Sequence, residues 1–160
     1  MKLKRLCLLS GAPGSGKSTW AREYVKNNPE VAYISRDEIR MEMLNDGDRY
    51  FDKEKAVFRE YARRAKEALQ DGAKTVILDA THINFPSVRK ILVALNWVEE
   101  CTIIRFHIPL HVLLERNAGR TGRACVPEEG IRRMYNSTDD PEAYCNNVYW
   151  INEEGVVYRG

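Results

Sequence analysis

No apolar run in the 160 residues approaches the ~20 needed to cross a bilayer. The opening MKLKRLCLLS has only the outline of a short export signal. Its apolar part is brief and runs into a glycine-rich loop without a small-residue cleavage site, so a buried first strand is the better reading. Cysteine is sparse: Cys7, Cys101, Cys125 and Cys145 form no CxxC pair, and three histidines offer no zinc-type spacing. Two of the four fall in predicted strands as buried thiols, and a reduced, cytoplasmic protein is expected. Charge of one sign is also lacking, since 25 Lys+Arg against 23 Asp+Glu leave only +2, too little to mark a nucleic-acid binder. Repeats, low-complexity tracts and linkers are missing. What is present is ordinary globular composition, 44% hydrophobic and 30% charged, over a length that suits one domain at residues 1–160.

Apolar periodicity predicts alternating strands and helices. Strands are expected over 4–10, 31–35, 74–81 and 102–108, with helices over 18–26, from Asp37 to a loop at 45–48, over 52–70, from Pro86, and over 110–117. The helix at 52–70 carries the stripe Val57, Tyr61, Ala65, Ala68 and Leu69, and Gly72 stands where a C-terminal glycine belongs. Trp20, Ala21, Tyr24 and Val25 share one face of the first helix. Pro127, followed by Glu128 and Glu129, opens a further helix, and the runs 148–151 and 156–158 around Asn152–Gly155 suggest a hairpin. This alternation implies an α/β fold, a parallel sheet with helices on both faces. Its ligands should bind at the carboxyl ends of the strands, on the rim holding Ser10, Ser35, Asp79 and Pro109.

Gly11-Ala12-Pro13-Gly14-Ser15-Gly16-Lys17-Ser18 matches G-x-x-x-x-G-K-[ST] in full, with a buried strand before it and an amphipathic helix after it. Glycines let successive backbone N–H groups turn inward onto phosphate oxygens, and the helix N-terminus adds partial positive charge. Lys17 then places a cation between the β- and γ-phosphates of ATP, Ser18 is a Mg²⁺ ligand, and Thr19 continues the loop into the helix.

Asp37 and Arg40 stand at i and i+3 just after the second strand and share a helix face. A hydroxyl acceptor needs a carboxylate to take its proton, and Asp37 is placed for that; Arg40 could hold an anion beside the acceptor. The alternative is an acidic first turn with a surface arginine. Asp79, closing Val76-Ile77-Leu78, sits where a carboxylate would reach hydrated Mg²⁺ or Ser18, or else caps a turn; Thr81 and Asn84 could shape the loop that follows. Arg116, Arg120 and Arg123 flank the glycines of 118–122, as in a lid that closes over nucleotide at about 117–126, or as a solvated basic loop. Tyr50 and Phe51 could stack on a base or pack in the core. Arg59, Arg63 and Lys66 read as a solvated face or a nucleic-acid path. His82, His107 and His111 receive no role, and Trp20, Trp97 and Trp150 read as packing residues. A nucleotide-dependent switch or binding module is a further reading; the absence of N-K-x-D, and Ala80-Thr81-His82 after Asp79, count against it.

Together, residues 11–23, Ser35-Arg36-Asp37-Glu38-Ile39-Arg40, Leu78-Asp79-Ala80-Thr81, Arg116-Asn117-Ala118-Gly119-Arg120, Val126-Pro127 and Met134-Tyr135 resemble the 5′-kinase domain of phage-type polynucleotide kinases. The resemblance runs over about residues 5–137 and implies a P-loop kinase with an adenylate-kinase-like lid. Its substrate would be the 5′-hydroxyl end of DNA or RNA, and its cofactors ATP and Mg²⁺. In its terms Lys17 and Ser18 hold phosphates and metal, Asp37 is the general base, and Arg40 binds the phosphate next to the acceptor nucleoside. Asp79 supports loop and metal, and Arg116 and Arg120 reach the transferring phosphates. The stretch after Arg120 is about one residue longer than the pattern, and neither room nor a D-x-D-x-[TV] motif exists for a 3′-phosphatase. A small-molecule or toxin-type kinase on the same scaffold remains the alternative, and the tail from Asp139 resembles nothing placed.

Overall fold

The computed structural model describes residues 3–122 and 125–159. Six strands form one sheet in the order β2-β3-β1-β4-β5-β6: β1 (Arg5–Ser10), β2 (Ala32–Ser35), β3 (Thr75–Asp79), β4 (Glu100–Phe106), β5 (Val148–Ile151) and β6 (Val157–Tyr158). The first five pair in parallel, and β6 returns antiparallel on β5 as the outer leg of the expected hairpin. The hairpin stands where the two β-rich runs of the tail predict it, and β5 also extends the parallel sheet by pairing with β4.

Alternation along the strands feeds two cores. Leu6 and Leu8 of β1, Val76 and Leu78 of β3 and Ile103 of β4 face α2 (Arg36–Met43), α3 (Glu54–Gln70) and α4 (Phe85–Ala94). Leu9, Ile77, Ile104 and Phe106 face the other way, onto α1 (Lys17–Asn27), α5 (Leu110–Ala118) and α6 (Glu128–Asn136). Helix α3 buries Val57, Tyr61, Ala65 and Leu69, whereas Ala68 only packs at the margin. The expected strand at 74–81 stops at Asp79, because the chain turns out of the sheet to reach His82 at φ 37. One packing expectation fails: Trp97 is 42% exposed. Tyr24 does share a face with Trp20 and stacks on its ring, although it is 41% exposed.

Local chemistry sets the helix starts at the rim. Ser35 accepts the Glu38 N–H at 3.2 Å and caps α2, and Asn84 with Ser87 forms a reciprocal capping box on α4. Pro127 caps α6, one residue before the helix it was expected to begin. No helix among the described residues is long and apolar enough to cross a membrane.

Candidate active site

The loop after β1 is cut to fit a phosphate. A Cβ at Gly11 would lie 2.7 Å from Ser15 Oγ, so only glycine lets the chain close there. Gly16, at φ 93, is the N-cap of α1 and carries no side chain to cap it, which leaves the first N–H groups of the helix pointing into the loop. Lys17 Nζ donates to Gly11 O (2.8 Å) and Ala12 O (3.2 Å). These neutral carbonyls are poor compensation for a buried ammonium, and burial lowers its pKa from 10.5 to about 8, with Asp79 and Asp37 opposing and Arg120 adding to the shift. An anion in the cradle would relieve that cost. This donor set fits the phosphates of ATP.

Asp79, buried at the end of β3, accepts hydrogen bonds on one oxygen, Oδ2, from Ser18 Oγ (2.7 Å) and Tyr33 Oη (2.5 Å). Burial and then Asp79 raise the Tyr33 pKa, so the phenol stays a donor. Among the described residues there is no cluster of three or more His, Cys, Asp and Glu that could hold a metal. A hydroxyl and one carboxylate are the sparse hard-oxygen set that suits Mg²⁺ completed by phosphate and water.

The loop after β3 is bolted to the phosphate loop. Thr81 O accepts Gly11 N–H at 2.8 Å, and Ser10 Oγ donates to His82 O at 2.6 Å. His82 is buried, with Nδ1 donating to Leu9 O at 2.8 Å and Nε2 facing Tyr61 Oη at 3.5 Å; burial lowers its pKa to about 4 and keeps the ring neutral. Arg105 completes the lock. It donates to Ser10 Oγ (2.8 Å), Ile83 O (3.2 Å) and Asp139 O (2.5 Å), and pairs with the Asp139 carboxylate at 3.5 Å. Neither residue had been given a role. A charged residue between Ile103-Ile104 and Phe106 in an apolar strand was the signal available for Arg105.

On the acceptor side α2 brings Asp37 and Arg40 together as their spacing predicted. Arg40 Nη1 donates to Asp37 Oδ1 at 2.9 Å and to Tyr50 Oη at 2.8 Å, and Tyr50 Oη donates to the same Asp37 oxygen at 2.5 Å. Glu54, at the start of α3, grips one edge of Arg40 with both oxygens, Nε at 2.7 Å and Nη2 at 3.1 Å, and holds Arg36 at 3.0 Å. Sequence reasoning missed Glu54. Arg40 is therefore buried, not a free surface arginine, and one Nη2 hydrogen is left uncommitted by these bonds. Asp37 Oδ2 has no hydrogen bond among the described residues, while its side chain is 56% exposed.

Asp37, Arg40, Lys17, Ser18, Asp79 and Arg120 line one pocket of about 240 Å³ together with Pro13 to Thr19 and the rings of Tyr50 and Phe51. Arg116 stands beside the loop: its Nη1 donates to Gly14 O at 3.0 Å and its Nη2 to Glu153 O at 3.4 Å, so the tail hairpin helps to place it. Asn117 spans the base of the 117–126 segment, donating to Val126 O (2.7 Å) and accepting Val126 N–H (2.9 Å). Arg123 lies outside the described residues. Of the residues left as a solvated face, Arg63 pairs with Glu60 and Glu67 on its own helix, in keeping with that reading. Cys101 and Cys145, far apart in sequence, meet at the β4–β5 edge, where Cys145 Sγ lies 3.6 Å from Cys101 O.

A phosphate cradle, a carboxylate hydrogen-bonded to its serine and a second carboxylate across one pocket, on this sheet order, define a P-loop kinase. The family described as AAA domain matches residues 6–141, and the chain belongs to it. The chain is 29% identical over 145 residues to L-seryl-tRNA(Sec) kinase of Methanococcus maripaludis, covering 85% of this chain and 53% of that protein. It thus spans about half the length of that curated relative. Its fold matches a chain of the Pnkp1/Rnl/Hen1 RNA repair complex with TM-score 0.74 at 24% identity, over 86% of this chain and 44% of that one. It also matches a fungal RNA kinase (TM-score 0.68, 14% identity, 100% and 78% covered). A third match is a gluconokinase from Sinorhizobium meliloti 1021 (0.63, 17%, 95% and 84%).

Proposed function

We propose that this chain transfers the γ-phosphate of ATP to the 5′-hydroxyl end of a nucleic acid, DNA or RNA, as the phage-type polynucleotide kinases do. The observation that carries it is the pair of Asp37 and Arg40 in the phosphate-loop pocket: the carboxylate is tethered through Oδ1 with Oδ2 left for a substrate proton, and the arginine beside it can hold a phosphate next to the acceptor. Lys17, Ser15 to Thr19 and the open N-terminus of α1 would hold the phosphates, and Ser18 with Asp79 the metal, directly or through water. Mg²⁺, when bound, supplies charge neutralisation on the phosphates. Asp37 Oδ2 takes the proton of the acceptor hydroxyl, Arg40 offers its remaining Nη2 hydrogen to the phosphate next to the acceptor, and Arg120, which lines the pocket, faces the charge of the group in transfer. Arg116 would have to leave Gly14 O and Glu153 O to join it. The RNA repair and RNA kinase folds among its structural neighbours favour RNA ends.

Replacing Asp37 with Asn tests the base. ATP should bind nearly as before while single-turnover phosphorylation falls ~10²-fold or more; an unchanged rate removes the assignment. The second reading, a kinase for a small hydroxylated acceptor or an RNA-borne serine, draws on the gluconokinase fold and on L-seryl-tRNA(Sec) kinase. It keeps the same base and phosphate cradle and differs only in what lies beyond the hydroxyl.

A further inference from the structure

The loop between α2 and α3 carries bonds within itself and to α2. Asn45 N–H donates to Asp48 Oδ2 and Arg49 N–H to Asp52 Oδ2, each at 2.8 Å. Lys53 Nζ donates to Met43 O at 2.8 Å and pairs with Asp48 at 3.3 Å, which ties the loop to the end of α2. The result presents Tyr50 and Phe51 edge to face, centroids 4.7 Å apart at 82°.

The two rings have different duties. Tyr50 is committed inward, its hydroxyl on Asp37 and its ring 4.2 Å from the Arg40 guanidinium. Phe51 has no polar handle and is 60% exposed, yet it lines the same pocket as Asp37 and the phosphate loop. Isolated exposed apolar residues need no explanation, but an aromatic ring braced edge-on by a neighbour at the mouth of a catalytic pocket is a ready-made flat surface. Arg40 stands 5.7 Å from its centroid, so the ring lies within one side chain's reach of the groups that hold the acceptor hydroxyl.

We propose that Phe51 is the stacking platform for the base of the nucleotide that carries the acceptor hydroxyl. The inference rests on the nucleic-acid reading above and deepens it. A bare phenyl face takes any of the four bases through its π-surface without reading its edges, so the acceptor end should be chosen by chemistry and not by sequence. Tyr50 fixes the platform's angle, and through Asp37 and Arg40 it sets the distance between stacked base and reacting oxygen.

The test pairs Phe51→Ala with oligonucleotides whose 5′-hydroxyl residue either carries its base or is abasic. On the intact end the variant should raise the acceptor KM ~5- to 150-fold, the span expected for loss of one base–aromatic stack, with kcat and the KM for ATP little changed. On the abasic end wild type and variant should be alike, and Phe51→Trp should restore the intact-end KM. A terminal 2-aminopurine gives a readout without turnover: its fluorescence should be quenched on binding to the wild type and not to the alanine variant. Equal losses on both ends, or none on the intact end, would overturn the platform while leaving the kinase reading in place. If the wild type phosphorylates no nucleic-acid end at all, the kinase reading fails and the platform fails with it.

Discussion

Glu54→Gln is a sharp test of how the acceptor side is built. The Arg40 side chain is 8% exposed and Glu54 28%, and their two contacts at 2.7 and 3.1 Å make a bidentate pair little screened by water. Glutamine keeps the volume but has one accepting oxygen in place of two and turns an amide N–H₂ toward a guanidinium. Breaking a buried pair outright costs about 3–5 kcal/mol, but Asp37 still faces Arg40, so a loss of ~2 kcal/mol is expected. For a domain of this size that lowers Tm by ~4–8 °C. Arg36 loses its carboxylate as well, and its Nε is already buried without a hydrogen-bond partner among the described residues. The assay is urea or thermal unfolding of Glu54→Gln, Arg40→Met and the double variant. The pair predicts that the double variant is less destabilised than the two single losses added, by ~1 kcal/mol or more. Additivity within ~0.5 kcal/mol would refute the buried clamp. The acceptor KM of Glu54→Gln should rise with the ATP KM held, because Glu54 touches Arg40 and not the phosphate loop.

Two further predictions concern protons. Lys17 is held near 8 against an ordinary 10.5, so in the free protein its stability contribution grows as pH rises through that window, where the unfolded chain binds the extra proton. Phosphates restore its charge, and calorimetry at pH 9 in buffers of different ionisation heat should show nearly one proton taken up with ATP; none taken up would contradict the cradle. His82 is held neutral near 4 against 6.5, so stability should fall as pH drops through that range, by at most ~3 kcal/mol. His82→Asn, which tolerates the positive φ and does not titrate, should flatten that acid limb in pH-dependent unfolding; an unchanged slope would point to other groups.

How much of this was legible in the sequence depends on the range of the interactions. The phosphate loop, the Asp37–Arg40 spacing and the alternation of strands and helices are local patterns, and they appear where they were expected. The contact of Asp79 with Ser18 was legible because a carboxylate ending an apolar strand beside the phosphate loop lies within reach of its serine. Tyr33 was not, since its link to Asp79 depends on β2 lying beside β3. Glu54 looked like one acid among many at a helix start; only the fold of the 44–53 loop brings it onto Arg40. The tail gave no signal for Asp139 or Glu153, because Glu153 acts through a backbone carbonyl and Asp139 through both its carboxylate and its carbonyl, at partners more than 30 residues away. Arg105 and His82 do carry a signal, a polar group in apolar company, but neither stands at a spacing that marks catalysis.

The most direct measurement is phosphate transfer from γ-labelled ATP with Mg²⁺ to parallel acceptors: 5′-hydroxyl RNA and DNA oligonucleotides, 3′-nucleoside monophosphates, free nucleosides, gluconate and seryl-tRNA. The account predicts label on the 5′ ends and on 3′-monophosphates, none on nucleosides, and loss of transfer in Asp37→Asn. Label on gluconate or on the serine of seryl-tRNA, with the 5′-hydroxyl ends untouched, would contradict it and leave the same pocket to a different acceptor.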